Sequence, residues 1–206
     1  LMKGLVSTDK YMRGILNKEY GLLPPKGVLS HVTVFELPMY HKLLVVSDVA
    51  VIPYPDLSQK TAIVRYLTAT AKVLGVERPK IAAIAPSEQL LASVQSSVEA
   101  AVLAKMADRG QLGDVVLDGP LALDVALFEE VARTKHLSSP VAGDADCLLM
   151  PNLDAANVFF KSANHLCNAS LAAMVAGTKA PCVLTSRGDS AESKLYSIAL
   201  AALSAK

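Results

Sequence analysis

The stretch PCVLTSRGDSAESKLYSIALAAL, residues 181–203, changes character twice in quick succession. An apolar run, Cys182-Val183-Leu184, breaks into Thr185-Ser186-Arg187-Gly188 and then restarts with the periodicity of an amphipathic helix over 190–204. That order reads as strand, turn, helix, and the same unit recurs along the chain. Strands are predicted at 28–37, 43–47, 81–85, 114–117 and 147–150, the last stopped by Pro151. Helices are predicted at 8–18 with Asp9 as cap, 58–74 closed by Gly75, 96–108, 122–135 and 153–166. A breaker cluster, GLLPPKG at 21–27, forms a linker. Strands alternating with helices imply an α/β fold with a largely parallel sheet and helices on its faces.

Composition narrows the function. The 206 residues are 52% hydrophobic and 19% charged, with a formal charge of +1. This is a core-forming, soluble composition of one large or two small domains. Near-neutral charge gives no basis for a nucleic-acid or membrane-surface partner. No apolar run reaches the roughly 20 residues of a membrane span. The 3 cysteines, Cys147, Cys167 and Cys182, lack CxxC spacing and read as reduced thiols of a cytoplasmic protein. The 4 histidines (His31, His41, His136, His165) lack metal-ligand spacing and read as surface or satisfied core residues, so no metal is expected.

In parallel sheets, ligands gather beyond the carboxyl ends of the strands. The predicted exits there are Ser47-Asp48, Asp118-Gly119-Pro120, Pro151-Asn152-Leu153-Asp154 and Thr185-Ser186-Arg187-Gly188. All are small, polar or tightly turned, and only the last carries a cation. Three readings of that turn compete. Asp189 with Glu192 forms a D-x-x-E capping pair, which leaves Ser186 and Arg187 unexplained. Arg187-Gly188-Asp189 as an integrin-binding tripeptide would require a secreted protein, against the cysteine usage. An anion site joins the guanidinium fork to the helix start and its dipole.

Several blocks in order resemble the phosphate acetyltransferase and phosphate butyryltransferase family: LMKGLVSTDKYMR at 1–13, SDVAVIPYPD at 47–56, DGPLALD at 118–124, SPVAGDADCLLMPNLDAANVFFKS at 139–162, and LTSRGDSAESKLYSIALA at 184–201. The ending is closer to the butyryl type. The resemblance implies reversible transfer of a short acyl group between coenzyme A and inorganic phosphate, with no cofactor beyond these substrates. It also implies a two-domain α/β/α architecture like that of isocitrate and isopropylmalate dehydrogenases, with the site in the interdomain cleft. Residues 1–25 and 178–206 would belong to the first domain, with its N-terminal part missing, and 26–177 to the second.

The resemblance further assigns Arg187 to clamp phosphate and Ser186 to hydrogen-bond the reacting thioester. Arg13, Asn157, Lys161 and Asp118 are candidate substrate-binding residues. Asn157 and Lys161, four apart, would share a helix face. Acetyl-type members carry an aspartate seven residues after the serine; here it is Ser193, which leaves any general base unassigned. The apolar stretch 169–175 supports a homodimer. The rival readings are a non-catalytic fragment or interaction module of the same fold, and a decarboxylating dehydrogenase.

Overall fold

The computed structural model describes residues 1–185 and 188–205. Its centre is one six-stranded sheet built from β1 (Ser30–Glu36), β2 (Leu44–Ser47), β3 (Lys80–Ile84), β4 (Val116–Leu121), β5 (Cys147–Leu149) and β6 (Ser170–Ala176), in the order β4-β3-β5-β2-β1-β6. The run β4-β3-β5-β2 is parallel. β1 is antiparallel to both β2 and β6, so the sheet is mixed where a largely parallel one was expected.

Helices cover both faces. On one, α2 (Leu57–Val73) and α3 (Gln95–Asp108) bury Ile63, Val64, Leu67, Ala100 and Leu103 against Val32, Val45, Ile81 and Leu149. On the other, α4 (Leu123–Leu127), α5 (Glu129–Thr134) and α6 (Leu153–His165) bury Val125, Ala132, Ala156 and Phe160 against Phe35, Val46, Ala82 and Leu148. Neighbouring residues of each strand go to opposite cores, as the two-residue period of a strand requires. Phe35 meets Phe159 and Phe160 edge-on, both at 5.7 Å.

Caps fix where helices start. Asp56 and Gln59 form a reciprocal capping box on α2, with Asp56 Oδ1 accepting from the Gln59 amide at 2.8 Å and Gln59 Oε1 from the Asp56 amide at 2.9 Å. Asn152 caps α6 by accepting from the Ala155 amide at 2.9 Å. The last helix, α7 (Ala191–Leu203), is capped by Ser190, whose Oγ accepts from the Ser193 amide at 3.0 Å. The expected Asp189–Glu192 capping pair gives way to this serine pair, and Glu192 instead accepts from the Tyr196 hydroxyl at 2.7 Å.

Other departures have local causes. The predicted helix over 122–135 breaks at Phe128, because the 143–145 loop takes the carbonyls that would continue it. Val125 O accepts from the Gly143 amide and Ala126 O from the Ala145 amide. Asp118-Gly119-Pro120 lies inside β4, which runs on to Leu121 instead of ending at 117. A proline is tolerated there because β4 is an edge strand. The apolar stretch 169–175, the ground for the expected homodimer, is largely β6 and lies mostly buried against β1. α7 shields its outer edge, Ser197 Oγ accepting from the Ala173 amide at 2.9 Å. The predicted strand at Val183 and Leu184 is reduced to isolated bridges, Val175 to Cys182 and Met2 to Val183.

The N-terminal helix α1 (Thr8–Ile15) buries Tyr11 and Ile15 against Leu29, Val175 and Cys182, in a small core of its own. Gly177 closes β6 with φ 92°, and a Cβ there would stand 2.1 Å from Val28 O. Gly177→Ala is therefore expected to destabilise the fold by more than about 1 kcal/mol, read as a lowered urea midpoint at unchanged slope.

Candidate active site

The parallel strands all end at one edge of the sheet, and the antiparallel register brings two further chain segments to it. Ser30 at the start of β1 pairs with Ala176 at the end of β6, and Val32 pairs with Ser47 at the end of β2. Along this edge lies a buried polar cluster: Ser30, His31, Thr33, Ser47, Asp48 and Thr185.

Asp48 organises it. Its Oδ1 accepts from the amides of Ala50 and Val51 at 2.9 and 3.0 Å, and its Oδ2 from the Ile52 amide and the Ser30 hydroxyl at 3.1 Å each. Ser47 Oγ donates to His31 O at 2.9 Å and lies 3.1 Å from Ser30 Oγ. One carboxylate thus folds the 48–52 segment back over the strand ends. Further on, Pro53 O accepts from the Leu153 amide at 2.9 Å, and Asn157 Nδ2 donates to Val49 O at 3.3 Å.

His31 joins the cluster to the segment that leads to Ser186. Its Nε2 lies 3.4 Å from Leu184 O, and its Nδ1 lies 3.4 Å from Thr33 Oγ1. A carbonyl only accepts, so Nε2 carries the proton and the Thr33 hydroxyl donates to Nδ1. Burial pushes the imidazole below its usual value; the charges of Asp48 and Asp189 and the Leu184 carbonyl oppose that shift without overcoming it. The ring is a neutral bracket on the residue two positions before Ser186.

A cation escaped the sequence reading. Lys3 is buried to 6% exposure; its amide donates to Val183 O at 3.0 Å, and its ammonium meets Gly4 O at 3.4 Å. Tyr11 Oη sits 3.1 Å from both Leu1 O and Val183 O. No local pattern marks Lys3, because its burial depends on pairing across 180 positions, as in the Met2–Val183 bridge nearby.

Ser186 and Arg187 lie outside the described residues. Their flanks are Thr185, buried, and α7 with its serine cap. Ser193, where the acetyl type has an aspartate, is buried with its amide and hydroxyl both on Ser190. The remaining candidates are dispersed. Arg13 is exposed and paired with Asp9 at 3.1 Å. Asn157 is tied to Val49 O, and Lys161 is exposed, its ammonium 5.1 Å from the Phe160 ring centre. Asp118 accepts from the Gly119 amide at 2.8 Å inside β4. Asn157 alone contacts the segment that the polar cluster folds.

A cavity of about 840 Å³ lies elsewhere, against Lys80 at the amino end of β3. Asp144, on its wall, binds Lys42 and Lys80 at 2.7 Å and His41 at 3.0 Å, which holds its carboxyl well below the usual range despite partial burial. Among the described residues no group of three or more His, Cys, Asp or Glu could hold a metal ion. No helix among them is long and apolar enough to cross a membrane.

Comparison with known proteins shows the family. The family model "Phosphate acetyl/butaryl transferase" matches residues 1–202. The chain is 47% identical to the phosphate butyryltransferase of Clostridium acetobutylicum, over 98% of this chain and 67% of that one. It is 41% identical to the phosphate acetyltransferase of Thermotoga maritima, over 98% and 69%. The crystal structure of a branched-chain phosphotransacylase from Enterococcus faecalis V583 superposes with a TM-score of 0.90 at 35% identity, covering 99% of this chain and 72% of that one. With its sequence matching over nearly its whole length and its fold superposing on that of a phosphotransacylase, the chain belongs to the phosphate acetyl/butyryl transferase family.

Proposed function

We propose that the protein is a phosphate acyltransferase of the butyryl type, moving a short acyl group reversibly between coenzyme A and inorganic phosphate. The observation that carries this is the pair of ordered flanks on either side of Ser186-Arg187. The chain entering Ser186-Arg187 is fixed by His31 at Leu184, and the chain leaving it becomes the first turn of α7.

In the forward direction a phosphate oxygen attacks the thioester carbonyl, the carbon–oxygen bond forms and the carbon–sulfur bond breaks. The proton of hydrogen phosphate passes to the departing thiolate, giving acyl phosphate and free CoA. Phosphate is its own nucleophile, so the protein supplies position and charge, and no cofactor is invoked. Arg187 grips two phosphate oxygens with its fork, and the N-terminal end of α7 adds its positive dipole. Lys3 supplies a buried cation beside Val183. The Ser186 hydroxyl donates to the negative charge developing on the thioester oxygen or sulfur, where a hydrogen bond gains most in the transition state.

The same reading places residues 1–25 and 178–206 in a first domain and 26–177 in a second, an arrangement like that of the isocitrate and isopropylmalate dehydrogenases. Two facts support it: the six-stranded sheet is drawn wholly from 30–176, and the outer segments meet in the Met2–Val183 bridge. A reducing cytoplasm suits Cys147, Cys167 and Cys182, all free thiols. Pairing into a homodimer remains part of the proposal, without support from the buried 169–175 stretch.

Thiol release from butyryl-CoA, measured with and without phosphate, tests the activity. Phosphate-dependent release is expected, whereas release indifferent to phosphate would overturn the assignment. Arg187→Lys is expected to lower kcat/KM for phosphate by at least about tenfold, since a point charge does not replace the fork. Full activity in this variant would remove Arg187 from its role.

His31 also makes a pH prediction. Its folded pKa lies below its ordinary value of about 6.5, so above that pH neither state is charged and the buried ring's contribution is complete. As pH falls through 6.5, the unfolded chain takes up the proton first and stability drops. The melting temperature should therefore fall between pH 7.5 and 5.5, and His31→Gln should flatten that fall. Equal slopes for the two proteins would show that His31 is not the titrating group.

A further inference from the structure

Among the described residues two lysines are buried, Lys3 and Lys60, and they are compensated differently. Lys60 of α2 is neutralised by Glu99 of α3. No carboxylate among the described residues pairs with Lys3, whose ammonium meets Gly4 O alone, at 3.4 Å. A bare ammonium is costly to take out of water, and a buried one is ordinarily held by an anion. Its burial is also local to the side chain: Met2 and Gly4, on either side, are exposed, so Lys3 alone turns inward from an outer segment.

The backbone fixes what Lys3 lies beside. The Val183 amide donates to Leu1 O at 2.8 Å and the Lys3 amide to Val183 O at 3.0 Å, which closes a parallel bridge between Met2 and Val183. Parallel chains advance in the same direction, so one step beyond the bridge come Lys3 on one chain and Leu184 on the other. Leu184 is the residue whose carbonyl His31 holds. Ser186 follows two residues later, a span of chain of at most roughly 7 Å.

We infer that Lys3 sets the charge selectivity of the phosphate site, an inference that rests on the acyl-transfer reading above. Together with Arg187 it supplies two units of positive charge, which match hydrogen phosphate, a dianion, and not a singly charged oxyanion. The counter-charge that the fold withholds from Lys3 is then the substrate itself. A monoanion would leave one cation uncompensated in a site of low polarisability, where a unit charge is worth far more than in water. The selection also favours the reactive species, since the dianion carries both the attacking oxygen and the single proton that the thiolate takes. No bond is made or broken at Lys3. The acyl phosphate formed keeps two negative charges, so the same cation serves the reverse reaction.

Sulfate, a dianion, and nitrate, a monoanion, are the probes, because neither titrates near neutrality. In the wild type, sulfate is expected to compete with phosphate at least about tenfold more tightly than nitrate does. In Lys3→Met that preference should disappear and KM for phosphate should rise about tenfold or more, with KM for butyryl-CoA unchanged. Lys3→Arg, which restores the charge, should recover the preference. Met fills a similar volume without a charge to desolvate, so Lys3→Met should melt no lower than the wild type in sulfate-free buffer, whereas a lysine needed only by the fold would lower the midpoint. An undiminished sulfate preference in Lys3→Met, no recovery in Lys3→Arg, or a lowered melting temperature in Lys3→Met would each overturn the inference. Thiol release indifferent to phosphate in the wild type would instead overturn the acyl-transfer reading, and sulfate binding to the wild type and to Lys3→Met, measured by calorimetry, would still decide the role of Lys3.

Discussion

The buried carboxylate of Asp48 is the constraint on which the site depends. With four donors drawn onto two oxygens, it ties the end of β2 to the start of β1 and folds the following backbone over the strand ends. Hydrogen bonds to an ionised group are among the stronger ones a protein makes, about 1.5–3 kcal/mol each, and a carboxylate is costly to bury without them. The segment it pins then organises both neighbours. Toward β1 it shares Ser30 with the strand that carries His31; toward α6 it meets Asn157 and the Leu153 amide. A loop held only by its ends would not fix its backbone against both β1 and α6.

Much of this was legible in local pattern, and what was not has a common cause. The apolar runs of β1, β2, β3 and β5 and the periodicity of α2, α3, α6 and α7 each lie within a few residues of their predicted places, because strand and helix periods are local properties. β6 was missed because SLAAMVA is rich in alanine, a weak strand former, and becomes a strand only through its register with β1, more than a hundred residues earlier. The break at Phe128 depends on carbonyls captured by residues 143 and 145. Among candidate side chains, Ser186 and Arg187 stood out from the local residue pattern, whereas Lys3, His31 and the Lys60–Glu99 pair owe their character to burial by distant segments. A lysine four residues after a helix cap reads as solvated surface until a glutamate from another helix arrives 39 positions later. Arg13 and Lys161 err the other way: their types and spacing drew attention, and the fold leaves them exposed.

The two edges of the sheet divide electrostatic labour. At the amino edge Asp144 and Asp146 are saturated by Lys42, Lys80 and His41, and Asp146 also accepts from the Lys80 amide. Those charges hold strands and loops in register and have little capacity left for a ligand, whatever the size of the cavity beside them. At the carboxyl edge Lys60 is neutralised by Glu99, whereas the Lys3 ammonium has, among the described residues, a single carbonyl at the long end of hydrogen-bond distance.

His31 fits this division by staying uncharged. A protonated imidazole beside the charges of Asp48 and Asp189 would add a strong local ion pair. Burial outweighs both carboxylates and lowers the imidazole's pKa, which favours the neutral ring whose Nε2–H points at Leu184 O. In the mechanism proposed above, hydrogen phosphate gives up the proton that the thiolate takes. At the position where the acetyl type has an aspartate, Ser193 is buried with its amide and hydroxyl both on Ser190, the cap of α7, so that the side chain there serves the start of the helix.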